Sequence, residues 1–308
     1  MKTTNLKNTG MVVAVYQNQV AIRLEERYIN CRLASNGRKQ KNNHHHDVLV
    51  GDWVTINNGM IDKIVDRRNT FSRRKPGRKP EQQRFAANVD QMLAVLSAAN
   101  PAPKWNLLDR YLASAELAEI PVLICITKMD LLEHGSGENT ALLAGLEVYE
   151  QLGYDILLTS SSSLMNIEVL RASLAGKSNL LIGKSGVGKS SLMNALYPEI
   201  DRIIGEVGEE SGKGRHTTSS AWLHVVDENA FLIDTPGTRE FGLWLGEPED
   251  LQYAYVDIEP YVGECRFGLS CMHDEEPGCA VRRAVMQGEI HPYRYQSYLK
   301  LLDEERAS

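Results

Sequence analysis

The sequence predicts a multidomain α/β protein with an N-terminal β-barrel, a central domain built on a mostly parallel sheet, and a C-terminal helical zinc-binding domain. Three observations carry that prediction. Residues 10–66 hold five short β-branched segments set between Gly and Asn turns. From Asp90 onward, apolar strand-like runs alternate with segments of helical spacing, the pattern of helices packed on both faces of a parallel sheet. Near the end, three cysteines and a histidine crowd into residues 265–279.

A chain of 308 residues accommodates two or three domains. With 43% hydrophobic and 24% charged residues, its profile is that of an ordinary soluble chain. The N-terminus MKTTNLKNTG has no apolar h-region, and no run approaches the ~20 apolar residues of a membrane span. A cytoplasmic location without membrane attachment is therefore expected. The net charge of −6 hides an asymmetry: residues 1–84 carry 17 Lys+Arg against 7 Asp+Glu, and the remainder 17 against 33. A basic head on an acidic body points to a polyanionic partner for the head; the competing reading is a solvated basic surface. Five cysteines, an odd count, argue against a disulfide framework.

The barrel is expected over residues 1–68, from the segments MVVAVY, QVAIRL, RYINCRL, DWVTI and MIDKIVD. Five strands in so short a stretch fit an OB-fold, a barrel that commonly binds nucleic acid. His44, His45 and His46 read as a solvated loop, since adjacent loop residues rarely converge on one ion. Residues 69–84 read as a flexible basic linker, because Pro76, Gly77 and Pro80 bar a regular helix. Arg67, Arg68, Arg73, Arg74, Lys75, Arg78 and Lys79 are the candidates for contact with an RNA phosphate backbone.

The central domain, residues 85–245, is organised around NLLIGKSGVGKSS at 179–191. Gly183, Gly188, Lys189 and Ser190 fit G-x-x-x-x-G-K-S/T. In that motif Gly183, Lys184, Ser185, Gly186, Val187 and Gly188 curl their backbone N–H groups around phosphate oxygens. A helix starting near Lys189 adds its positive end, with Ser191 in its first turn. Lys189 reaches the β- and γ-phosphates, and the Ser190 hydroxyl is placed for Mg²⁺. The run PVLICI ends at Thr127-Lys128-Met129-Asp130, which resembles the guanine motif NKxD. A carboxylate at Asp130 can accept from guanine N1–H and the exocyclic amine, a donor pair that adenine lacks. The Lys128 stem can cover the purine face. Asp234-Thr235-Pro236-Gly237 matches DxxG, with Asp234 toward Mg²⁺ and the Gly237 N–H toward the γ-phosphate. GKGRHTTSS, residues 212–220, suits a switch, and either Thr217 or Thr218 can supply its hydroxyl to Mg²⁺.

Standard GTPases run phosphate loop, switch threonine, DxxG, then NKxD. Here the NKxD-like stretch comes first, so the order is that of a circularly permuted P-loop GTPase domain, whose sheet survives relocation of the termini. Ser160 and Ser161, closing the run DILLTS, lie where the second guanine loop belongs.

In residues 246–308, Cys265, Cys271, His273 and Cys279 form a Cys₃His set suited to one structural tetrahedral Zn²⁺. DLQYAYVDIEPYV, AVRRAVMQG and RYQSYLKLLDEE read as amphipathic helices around it.

Barrel, permuted GTPase and Cys₃His tail together resemble the RsgA family of ribosome-biogenesis GTPases, through GKSGVGKSS, GRHTT, DTPG, CMHDEEPGCAV and RYQSYLKLL. The resemblance implies GTP hydrolysis stimulated by the small ribosomal subunit late in its maturation, with Mg²⁺ accompanying GTP. It implies the subunit and its rRNA, GTP and GDP as partners of a monomer. Three departures stand out. Thr127 replaces the usual Asn, five residues rather than four separate Cys265 from Cys271, and no water-orienting Gln follows Gly237. His216 is the candidate for positioning water, against a packing or RNA-contacting role.

Overall fold

The computed structural model describes residues 8–16, 19–32, 48–75, 81–199, 221–227, 230–234, 242–245 and 247–307. All five expected barrel strands form: β1 (Thr9–Val15), β2 (Gln19–Leu24), β3 (Arg27–Arg32), β4 (Trp53–Asn57) and β5 (Met60–Ile64). They run in the order β1-β2-β3-β5-β4, and a β1–β4 pairing closes the ring. Only β3–β5 is parallel, with Arg32 opposite Met60. Val12, Val20, Ile22, Cys31, Val54 and Ile61 fill the interior. Met11, Val13 and Ala14 instead join the core of the central domain. So β1 is apolar on both faces because both are covered.

The expected flexible linker is a β-ribbon. β6 (Thr70–Arg74) pairs antiparallel with β7 (Gln82–Ala87), from Thr70↔Ala87 to Arg74↔Gln82. Prolines that bar a helix do not bar a hairpin. Phe71, set among the arginines, is fully buried and packs edge-on against Phe85. Arg74 also bridges Gly242, tying the ribbon to the chain that leaves the DTPG segment.

The central sheet comprises β8 (Gln91–Ser97), β9 (Val122–Thr127), β10 (Asp155–Leu158), β11 (Ser178–Ile182), β12 (Trp222–Asp227) and β13 (Ala230–Asp234). Their order is β10-β9-β8-β11-β13-β12, all parallel except β12. Helices α1 (Trp105–Glu116) and α2 (Gly137–Gln151) cover one face. Helices α3 (Ile167–Leu174) and α4 (Lys189–Leu196) cover the other. β8 shows why its sequence is apolar from Met92 to Leu96: Met92, Ala94 and Leu96 enter the first core, Leu93 and Val95 the second. β12 continues into the barrel, with Trp222 opposite Ala14 and edge-on to Tyr16 at 5.7 Å.

In the C-terminal module, α5 (Ala280–Gln287) and α6 (Pro292–Arg306) are helical as expected. The stretch DLQYAYVDIEPYV is not; it forms two 3₁₀ turns, Pro248–Ala254 and Glu259–Tyr261. Pro260 and β-branched Val256 and Ile258 disfavour a continuous helix there. Leu251, Tyr255, Ile258, Val281, Tyr298 and Leu302 form its core, together with Ala113 of α1. No helix among the described residues is long and apolar enough to cross a membrane.

Candidate functional site

The phosphate loop leaves β11, whose residues are all buried at the centre of the sheet. Gly183 packs so close to β8 that a Cβ there would meet the Val95 carbonyl oxygen at 2.5 Å. Gly188 caps α4 at φ 97°, a left-handed conformation that favours glycine, and no side chain caps the helix. The first amides of α4 are thus left to bind an anion. Lys189 Nζ donates to the Gly183 carbonyl at 2.5 Å, inside the curve of the loop. Burial pulls its pKa down, opposed by the charge of Asp234. Ser190 follows, exposed in the first turn of α4.

Asp234 ends β13 beside β11. Its Oδ1 is buried and has no hydrogen-bond partner among the described residues. A sealed carboxylate oxygen near the loop lysine fits a magnesium ion carried with phosphates, held through water.

The guanine motif closes on this loop from β9. Thr127 is 2% exposed, and its Oγ1 lies 2.5 Å from the Val187 carbonyl and 3.1 Å from that of Leu96. Lys128 takes φ 60° and donates from Nζ to the Gly186 carbonyl at 2.7 Å and to the Asn100 carbonyl. Met129 and Asp130 open a 3₁₀ turn, with Met129 N–H donating to the Thr159 carbonyl. Asp130 Oδ1 accepts from Ser160 Oγ at 2.5 Å. That hydrogen bond, with help from Ser162, holds the Asp130 pKa below the ordinary 3.8. Ser160 is buried and braces the carboxylate, while neighbouring Ser161 is half-buried.

The four C-terminal ligand candidates converge. All are buried, and their ligand atoms lie within 4.8 Å of one another. Cys265 Sγ and Cys279 Sγ are 3.9 Å apart, and they lie 3.4 and 3.5 Å from His273 Nδ1. A tetrahedral zinc with Zn–S near ~2.3 Å and Zn–N near ~2.0 Å sets S···S at about 3.8 Å and S···N at about 3.5 Å. The donor set and its spacing fit that ion. His273 Nε2 is 3.1 Å from Gln252 Oε1, so the proton sits on Nε2 and Nδ1 is left to ligate. Backbone N–H groups of Ala280 and Arg282 donate to the Cys265 and Cys279 sulfurs, which favours thiolate. Burial foremost, with the neighbouring Cys265 and Cys279 sulfurs adding to it and a backbone hydrogen bond from His273 opposing it, pushes the Cys271 thiol up to about 12.

The RsgA GTPase family model matches residues 64–244. The chain belongs to the RsgA GTPase family. A relative named small ribosomal subunit biogenesis GTPase RsgA, from Actinobacillus pleuropneumoniae serotype 5b (strain L20), is 38% identical over 96% of this chain and 84% of its own. Small ribosomal subunit biogenesis GTPase RsgA 1 of Vibrio vulnificus (strain YJ016) is 42% identical over 80% and 68%. Among solved structures, YjeQ from Thermotoga maritima aligns at TM-score 0.74 and 30% identity, covering 98% of this chain and 99% of that one. YloQ, described as a circularly permuted GTPase, aligns at TM-score 0.71 and 31% identity, covering 97% and 95%.

Several readings of this RsgA-family chain fall outside the described residues: His44 to His46, Arg78, Lys79, His216, Thr217, Thr218 and Gly237. The remaining basic candidates are not a free cluster. Arg67 forks onto fully buried Asp52, at 2.7 and 2.8 Å. Arg68 pairs with Asp90, Arg73 with Gln83, Arg74 with Glu305, and Lys75 with Glu81. Arg68 and Lys75 keep more than half of their side-chain surface exposed, at 62% and 57%. Sequence reasoning missed Asn100 and Gln252. Each acts from a distant segment, and neither belongs to a spaced motif that could have marked it.

Proposed function

We propose that this chain binds a guanine nucleotide across β9 and the phosphate loop and hydrolyses GTP to GDP and phosphate. We place that activity on the small ribosomal subunit late in its maturation, as an assembly checkpoint or factor-release switch. One observation carries the reading. Thr127 and Lys128 bind the carbonyls of Val187 and Gly186, so the Asp130 carboxylate and the phosphate loop form one continuous site.

The chemistry is assigned to this chain's own groups. The amides of Gly183 to Ser191 cradle the phosphates, and Lys189 offsets charge at the β- and γ-positions. Ser190, Thr217 and Asp234 would hold magnesium, which supplies charge neutralisation between those phosphates. By their motifs, the Gly237 amide would serve the γ-phosphate and His216 would position the attacking water. Zinc, one per chain, would be held by Cys265, Cys271, His273 and Cys279 as a structural ion. The barrel and the exposed basic side chains that flank β6, Arg68 and Lys75 foremost, face rRNA phosphates. The chain works as a cytoplasmic monomer away from membranes.

GTP turnover with and without purified small subunits tests the proposal. Hydrolysis that rises with subunit supports it, and GTP binding without turnover in either condition leaves a nucleotide-sensing RNA scaffold instead. Sedimentation of the chain with subunits, under GDP and a non-hydrolysable GTP analogue, tests the switch. Equal affinity in the two states would end it, because a subunit that prefers the GTP form must tighten GTP-analogue binding by the same factor.

A further inference from the structure

Thr127 occupies the first position of the guanine motif, and its hydrogen-bonding capacity is already spent. A threonine hydroxyl has one proton. Two carbonyl oxygens, those of Val187 and Leu96, compete for it at 2.5 and 3.1 Å, in a site only 2% exposed. An asparagine there would carry two N–H protons, enough for the loop and the base together. The adjacent Lys128 ammonium is bonded to the carbonyls of Gly186 and Asn100.

We infer that Thr127 is a loop-positioning residue that does not read the base, so this chain recognises guanine by its Watson–Crick edge at Asp130 and is indifferent to purine N7. The inference rests on the guanine-nucleotide reading above and deepens it. Guanine's other edge presents N7 and O6, both acceptors, which only a donor can read. With Asp130 on the Watson–Crick edge and the phosphates in the loop, that other edge faces the junction of β9 with the loop. Thr127 has no proton left to offer there. Its proton instead sets the position of Val187, which presets the loop for phosphates before any base arrives. Discrimination against adenine then falls on Asp130 and on Ser160, which holds it.

The full-length chain is tested by displacement of a fluorescent GDP with GDP, 7-deaza-GDP and ADP. GDP and 7-deaza-GDP should bind within about twofold of each other, the lower limit of what a single hydrogen bond contributes. A 7-deaza-GDP weaker by more than about twofold would overturn the inference, since even a weak lost hydrogen bond to N7 costs that much. Thr127→Asn should open such a preference for GDP, by about fivefold. An unchanged ratio in that variant would overturn the assignment of the indifference to Thr127. Thr127→Val should weaken both nucleotides equally, because it releases the loop without touching base reading; a shifted ratio would count against the inference. If either variant fails to fold, the wild-type ratio decides alone. The ADP arm separates the two readings. ADP binding as tightly as GDP removes the guanine assignment, whereas strong preference over ADP with a 7-deaza penalty removes only the role given to Thr127.

Discussion

Arg294 in α6 donates to Asp109 in α1 at 2.5 Å, and their side chains are 1% and 0% exposed. The same guanidinium forks onto Asp257 at 2.8 and 3.2 Å and lies over the Tyr255 ring at 4.4 Å. Tyr149 of α2 donates its hydroxyl to the same Asp109 oxygen at 2.9 Å. Burial opposes the charge on Arg294, but the two aspartates outweigh it and hold its pKa well above the ordinary range. Tyr293 to Asn106 and Arg110 to Glu304 add two more links between α6 and α1. The C-terminal module is thereby locked to the helical face of the nucleotide domain.

Arg294→Met should destabilise the chain by about 3–5 kcal/mol, because it strands two buried carboxylates. Arg294→Lys should recover only part, since an ammonium cannot fork onto two partners in the same plane. Urea unfolding followed by far-UV circular dichroism measures both. A midpoint unchanged in Arg294→Met would show that the lock contributes nothing.

Lys189→Ala and Ser190→Ala should each lower GTP turnover by about 100-fold or more, the usual cost of removing a group that meets transition-state charge. Single-turnover hydrolysis of radiolabelled GTP reads the effect. Wild-type rates in either variant would take the loop out of the reaction.

Asp130→Asn should cost about tenfold to 100-fold in GDP affinity and shift preference toward xanthine nucleotides, whose C2 oxygen accepts from the new amide. The pH dependence has a definite sign. Ser160 and then Ser162 lower the Asp130 pKa. The carboxylate is therefore charged above its ordinary value, and affinity falls only as pH drops through the lowered one. Ser160→Ala should move that loss upward toward pH 3.8, seen as weaker GDP binding at acid pH in equilibrium titrations.

Protein purified without chelator should carry one zinc per chain by elemental analysis. Cys279→Ser should lose it and unfold mainly the C-terminal module, since Cys279 is both a ligand candidate and the cap of α5. Acid should release the metal, because protons compete for His273 and the thiolates. A zinc-free chain with a native tail would reject the site.

Arg67→Ala should cost about 2 kcal/mol of stability, as it leaves the buried Asp52 carboxylate without its fork. Lys75→Ala, at an exposed site, should change stability by less than about 0.5 kcal/mol. It should instead flatten the salt dependence of subunit binding by about one unit of log–log slope. Matched denaturation curves and sedimentation at several salt concentrations separate the two. A reversed pattern would restore Arg67 to the RNA surface and remove Lys75.

Much of the site was legible because its parts are local. The loop of residues 183–191 needs glycines and a lysine at fixed spacing whatever lies around it, and the four metal-ligand candidates fall within residues 265–279. Strand and helix periods likewise marked the five barrel strands and α1 to α3. The ribbon was misread, because Pro76 and Pro80 exclude a helix locally but say nothing about a partner strand. The 3₁₀ turns at 248–261 were misread because apolar spacing outweighed Pro260.

The sequence alone thus determined the motifs, their permuted order, the class of each domain and the four residues that converge as metal-ligand candidates, since these are written in spacing along the chain. Only the tertiary structure decided which groups those residues spend themselves on. Thr127 meets Val187 across 60 residues, Arg294 meets Asp109 across 185, and Arg67 turns from solvent to Asp52. The physical reason is that a hydroxyl or a guanidinium has the same donors everywhere, while its partners are chosen by the packing of distant strands and helices.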